Sequence, residues 1–116
     1  MIKIRNPFYV DVDDTLVCWN ISEYDETTFI TIEHNGYKTT LMPHEKNINL
    51  LKKFAKLGYT VIVHSQSGME WAEVVVKSLG LEEYVSGIGD KPKYYMDDLP
   101  ASAWMTRLWR DVDGKE

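Results

Sequence analysis

A short apolar, β-favouring run, Phe8-Tyr9-Val10, ends directly on three carboxylates, Asp11, Asp13 and Asp14. An apolar stretch with charge immediately behind it reads as a buried strand that delivers residues to its carboxyl end. The same pattern recurs downstream. Tyr59 to Val63 ends on His64-Ser65, and Tyr94 to Met96 ends on Asp97-Asp98, with Tyr84 to Ile88 as a further short strand. From about Pro43 to Leu57, Ile48, Leu51, Phe54, Ala55 and Leu57 recur at helical spacing, and Gly58 supplies the stop. A second helix carries Ala72, Val75, Val76 and Leu79 on one face. It starts at the capping-box pair Ser67 and Glu70 and stops at Gly80. Strands joined by helical crossovers predict an α/β fold with a three-layer, Rossmann-like parallel sheet.

Two runs rich in Thr, Ile, Phe and Tyr, Thr27 to Glu33 and Tyr37 to Met42, flank His34 and the turn pair Asn35-Gly36. They predict a β-hairpin over about residues 27–42. The tail from Leu99 has a helical pattern around Trp104 and Leu108. With 116 residues, 44% of them apolar, there is material for one modest core, and residues 1–116 are read as one domain. No aliphatic run approaches the roughly 20 residues of a membrane span, so no membrane partner is expected. The first residues carry no secretory pattern, and Cys18 is the only cysteine, which excludes an internal disulfide. A reducing cytoplasm is the expected compartment.

The formal charge is −5, and it is local. Without the five acids Asp11, Asp13, Asp14, Asp97 and Asp98 the sum would be zero. Carboxylates so concentrated repel one another unless a cation or protons neutralise them, which points to a metal site. General affinity for a nucleic-acid backbone needs an excess of Lys and Arg that the chain lacks, so nucleic acid enters only as a substrate. Ligands of parallel α/β sheets collect outside the carboxyl ends of the strands. Asp11, Asp13, Ser65, Lys91, Asp97 and Asp98 all follow strand-like runs and are expected to converge there. Carboxylate oxygens suit a hard cation, and a hydroxyl and an ammonium suit phosphoryl oxygens. The set fits metal-assisted chemistry on a phosphate.

Asp11-Val12-Asp13-Asp14-Thr15-Leu16 resembles the first motif, Asp-x-Asp-x-Thr, of the haloacid dehalogenase superfamily of phosphohydrolases. Ser65 after Val61-Ile62-Val63, Lys91-Pro92 and Asp97-Asp98 match the second, third and fourth motifs in family order. Lys91, ahead of a stiffening proline, is preferred over Lys93 for the third. The resemblance implies that Asp11 is a nucleophile forming an aspartyl-phosphate and that Asp13 is the general acid and base. It implies that Ser65 and Lys91 bind the phosphoryl group, and that Mg²⁺ is held by Asp11, by the main-chain carbonyl of Asp13 and by Asp97. An acid at position 13 favours a phosphatase over a dehalogenase, since a halide leaves without a proton. Neither gap between motifs has room for a cap domain, so a capless phosphomonoester hydrolase roofed by the hairpin is expected. Such an open site suits a phosphoprotein, a nucleic-acid end or a nucleotide, or a roof lent by another subunit of a homo-oligomer. A non-catalytic phosphate- or partner-binding module and a phosphomutase are the alternatives.

Asp14 is read as a solvated or turn-stabilising acid, and His64 as a satisfied packing histidine. His34 and His44 are read as solvated turn or cap residues, Trp71 as a packing residue, Trp19 as packing or as a stacking surface beside the site, and Cys18 as a small buried hydrophobe.

Overall fold

The structure, a computed structural model, describes residues 6–21 and 28–108. The first strand, β1 (Pro7–Asp11), pairs in parallel with β5 (Thr60–Ser65), which pairs in parallel with β6 (Gly87–Asp90). The register sets Asp11 opposite His64 and Ser65 opposite Asp90, so the carboxyl ends of all three strands lie at one level. Helix α1 (Glu45–Lys56) connects β1 to β5 across the intervening hairpin, and α2 (Met69–Ser78) connects β5 to β6. The result is an α/β fold built on a three-stranded parallel sheet.

Both crossovers step the same way across the sheet, and right-handed crossovers in one direction put both helices on one face. The burial of β5 follows from this. Val61, Val63 and Ser65 are buried, whereas Ile62 and His64 between them are only partly covered. Phe8 on β1 meets Phe54 of α1 edge-on at 4.5 Å between ring centroids. On the opposite face Tyr9 is 54% exposed and lies against His64. The third layer expected from the sequence is therefore missing among the described residues.

The hairpin is present as β3 (Ile30–His34) and β4 (Tyr37–Pro43), with Asn35 and Gly36 both at positive φ, 53° and 80°. Those dihedrals define the two-residue turn whose twist matches that of the flanking strands. It begins at Ile30, later than expected, and Thr27 lies outside the described residues. A short strand β2 (Val17–Cys18) pairs antiparallel with the end of β4, so the hairpin belongs to a second sheet of order β2-β4-β3. That sheet is fixed to the core, because Leu16, Val17, Ile32 and Leu41 are buried with Leu51, Val63, Trp71 and Val75. The helical faces predicted from spacing hold in part. Ile48, Leu51, Ala72, Val75 and Val76 are buried and Leu79 packs on the core, but Leu57 is 64% exposed.

Three expectations are corrected. The run Tyr84 to Ile88 splits into a single 3₁₀ turn, Glu82–Tyr84, and β6. The tail forms only a 3₁₀ turn, Ala101–Ala103, with Trp104 and Leu108 exposed and the residues beyond 108 outside the description. Tyr94 to Met96 is not a strand: these residues pair with nothing in either sheet and are 84%, 62% and 101% exposed.

The physical reason for the last is reach. The open edge of the sheet nearest the acids is β1, and a strand added outside it would lie three inter-strand spacings from β6, about 14 Å. To lie parallel beside Tyr9–Asp11, Tyr94 would also have to sit three residues below the level of Asp90, about 10 Å. The combined span is about 17 Å, and the four residue steps from Asp90 to Tyr94 cover at most about 14 Å.

Candidate active site

The turn after β1 is wound around one carbonyl. The Val12 oxygen accepts from the N–H groups of Thr15, Leu16 and Val17, and this tight turn aims the carboxylates of Asp11 and Asp13 at the strand tips. Asp14 sits at φ 59°, a conformation that asparagine, aspartate and glycine tolerate best. Its Oδ1 accepts from the Trp19 N–H at 3.1 Å, which bears out the reading of a turn-stabilising acid. Asp11 is held from two sides. Thr15 Oγ1 donates to its Oδ2 at 3.1 Å, and Lys91 Nζ stands 3.6 Å from its Oδ1. Lys91 arrives because its backbone N–H bonds the Ser65 carbonyl, which carries the chain from β6 over the end of β5.

Asp13 has the most complete environment. Its Oδ1 accepts from two indoles, Trp19 Nε1 at 2.8 Å and Trp71 Nε1 at 2.9 Å. Its Oδ2 accepts from two hydroxyls, Ser65 Oγ at 3.3 Å and Ser67 Oγ at 3.2 Å. The sequence offered Trp71 as a packing residue, and Trp19 as packing or as a stacking surface beside the site, but neither as a hydrogen-bond donor to Asp13. Trp19 instead stands at the end of β2 and Trp71 in the first turn of α2, with their ring centroids 6.0 Å apart. His34, expected in solvent, packs on Trp71 at 5.7 Å and ties the hairpin to the site.

Asp11, Asp13, Trp19, Gln66, Ser67 and Lys91 line an open cavity of about 420 Å³ at the strand tips. A larger hollow of about 500 Å³ lies between α2 and β6, lined by Val76, Val85 and Ile88 with Glu73 and Lys77. It lies along α2 and β6 and holds none of the residues that follow the carboxyl ends of β1 and β5, so the catalytic reading belongs to the first. Of the residues expected to meet, Asp11, Asp13, Ser65 and Lys91 do. Ser65, however, is 1% exposed and lies behind Asp13, accepting from the Ser67 N–H at 3.0 Å, so it steadies the carboxylate. Ser67 was expected to cap α2. The N-cap is Gly68, and the Asp90 carboxylate accepts from the Met69 N–H at 2.6 Å, leaving Ser67 free to face the cavity. Nothing in the local pattern announces Asp90 for this role, since it lies 21 residues away.

Asp97 and Asp98 do not line the cavity. They stand on the exposed segment after β6, where the Leu99 N–H and then the Asp98 side chain hold the Asp97 carboxyl below its ordinary value. Lys93 lies over the Tyr94 ring at 5.7 Å, away from the cavity lining, which leaves Lys91 as the ammonium of the site. The donor set for Mg²⁺ is consequently incomplete. Among the described residues no three His, Cys, Asp or Glu side chains gather into a group that could hold a metal. Without Asp97 the described residues offer Asp11 and the main-chain carbonyl of Asp13, and the other positions around a six-coordinate Mg²⁺ would fall to water and phosphate oxygens.

His64 packs beside Tyr9, but its buried Nδ1 has no hydrogen-bond partner among the described residues, so it is not the satisfied packing histidine expected. Burial pushes its imidazole below the ordinary value, the nearby Lys91 ammonium adds to that, and Asp11 opposes it. His44, expected in solvent, is 2% exposed and caps α1, its Nδ1 accepting from the Asn47 N–H. No helix among the described residues is long and apolar enough to cross a membrane. Compared with known proteins, the chain matches no family model and shows no significant likeness to any curated protein or solved structure.

Proposed function

We propose that this chain is a phosphomonoester hydrolase that works through an aspartyl-phosphate on Asp11. The observation that carries the reading is the meeting of Asp11, Asp13 and Lys91 around one cavity, with the Lys91 ammonium 3.6 Å from the attacking carboxylate. The order of the first three motifs along the chain agrees with it. An Asp11 oxygen attacks phosphorus, the ester P–O bond breaks, and the leaving alkoxide takes a proton from Asp13. Asp13 then removes a proton from water, whose oxygen attacks the same phosphorus. The bond from phosphorus to Asp11 breaks, and inorganic phosphate leaves.

The hydrogen bonds of Asp13 favour one of its oxygens as the carrier of this proton. Indole N–H groups only donate, so Oδ1, which receives two of them, must stay unprotonated. Hydroxyls both donate and accept, so Ser65 and Ser67 can rotate to receive a proton placed on Oδ2. Oδ2 is therefore the acid and base atom. Lys91 offsets the repulsion between the anionic nucleophile and the anionic phosphate, and Ser67 and Gln66 line the space for phosphoryl oxygens. No described residue of the hairpin lines the cavity, so the expected roof is not there, and the open cavity suits a large phosphorylated substrate or a nucleotide.

The test is phosphate release from an aryl phosphate, with and without Mg²⁺, by the native chain and by Asp11→Asn. Turnover by the native chain that is lost in the variant is the expected result. Phosphate binding without turnover on aryl, sugar, nucleotide, peptide and oligonucleotide phosphates overturns the reading in favour of a binding module.

A further inference from the structure

The segment after Lys91 is an apolar arm with no place on its own domain. Tyr94, Tyr95 and Met96 are 84%, 62% and 101% exposed, and Leu99, Trp104, Met105 and Leu108 are each about half exposed. Exposed apolar side chains scattered singly need no explanation, but seven within fifteen residues do. The parallel sheet carries a matching deficit. Among the described residues β1 is an edge strand with no partner on its outer side, and the sheet face bearing Tyr9 and Ile62 has no covering helix. Edges of this kind invite another strand. The arm cannot fill its own edge in the parallel direction, because the span of about 17 Å exceeds its reach of about 14 Å.

We infer that the arms of two copies exchange: Tyr94–Met96 of each chain adds as a parallel strand to β1 of the other, and Leu99 to Leu108 covers the other's bare sheet face. A two-fold arrangement satisfies both edges at once and leaves neither arm exposed. In this register Met96 stands beside the partner's Asp11, and Asp97 and Asp98 follow at the carboxyl end of that sheet. The carboxylates that the single chain does not bring to its cavity are then supplied in trans. This last consequence rests on the proposed phosphatase reading, whereas the exchange itself does not.

Sedimentation equilibrium of the full chain tests the exchange. A dimer of about 27 kDa, twice 13.5 kDa, is expected for the native chain. The monomer mass is expected for Met96→Glu, with the helical circular dichroism signal retained because Met96 is fully exposed in its own domain. Position is tested by mixing Tyr9→Cys and Tyr94→Cys chains with a short thiol-to-thiol cross-linker. A covalent dimer should form in the mixture and in neither variant alone, since native Cys18 is 6% exposed. A native monomer at all concentrations, a dimer untouched by Met96→Glu, or no cross-link in the mixture overturns the inference. None of these results depends on phosphatase activity, so a catalytically inert dimer would sink the enzyme reading alone.

Discussion

Replacing Trp71 by phenylalanine separates the two jobs of that side chain. The indole is 7% exposed, packs among Val75, Val63 and Leu41 in the core, and donates to Asp13 Oδ1 at 2.9 Å. Phenylalanine keeps the ring in the core but removes the N–H and part of the volume. Underfilling a buried site in this way costs roughly 1–2 kcal/mol. Losing one donor to a carboxylate costs about 1.5–3 kcal/mol when nothing replaces it. Asp13 keeps three other donors, so the lower end applies and the sum is about 3 kcal/mol. Trp19→Phe removes a bond of the same chemistry to the same oxygen at 2.8 Å, but Trp19 is 46% exposed. Water replaces its N–H and no cavity forms, so about 1 kcal/mol or less is expected. Urea denaturation followed by circular dichroism should place the Trp71→Phe midpoint about 0.7–2 M below that of Trp19→Phe, given a slope of about 1–3 kcal/mol/M. A double-mutant cycle with Asp13→Ala should return a coupling of about 1–2 kcal/mol for Trp71. Equal costs for the two tryptophans, or zero coupling, would refute the argument that the buried indole both packs and holds the carboxylate.

Leu41→Ala removes a side chain of 0% exposure from the hairpin strand β4 and should cost about 2–4 kcal/mol by the same denaturation assay; a loss under 1 kcal/mol would mean that the hairpin is not anchored in the core. Asp14→Ala loses the bond to the Trp19 N–H and puts alanine at φ 59°, so about 1–2 kcal/mol of destabilisation is expected, whereas Asp14→Asn should cost less than half as much. Burial, with the Asp14 carboxylate second, pushes the Cys18 thiol up, so it stays protonated at pH values where an exposed cysteine ionises. Thiol reagents at pH 8 should label it only after unfolding. The native state binds the extra proton, so stability should fall as pH rises above the ordinary thiol range.

Local chemistry made much of this fold legible. Asn35-Gly36 announces a two-residue hairpin turn, the helical spacing of Ala72, Val75 and Val76 announces the buried face of α2, and acids behind Phe8-Tyr9-Val10 announce the end of β1. Tyr94 to Met96 has equal β propensity, but propensity carries no information about reach, and three linking residues after Asp90 exclude it from its own sheet. The surroundings of Asp13 were hidden for a related reason. Trp71 is 58 positions away, and only the packing of α2 against β5 brings its N–H to the carboxylate. Ser67 was misread because Ser-x-x-Glu is a capping pattern, while the glycine after it, at φ 106°, and the distant Asp90 take over that end of the helix.

The central claim is that the side chain of Asp11 becomes phosphorylated. Borohydride reduces an acyl phosphate to an alcohol, so quenching a reacting mixture with it and mapping the peptides by mass spectrometry reads out the attachment point. The account predicts homoserine at position 11 in the presence of substrate and none in its absence. Phosphate release without any reduction at position 11, or with reduction at another carboxylate, would contradict it.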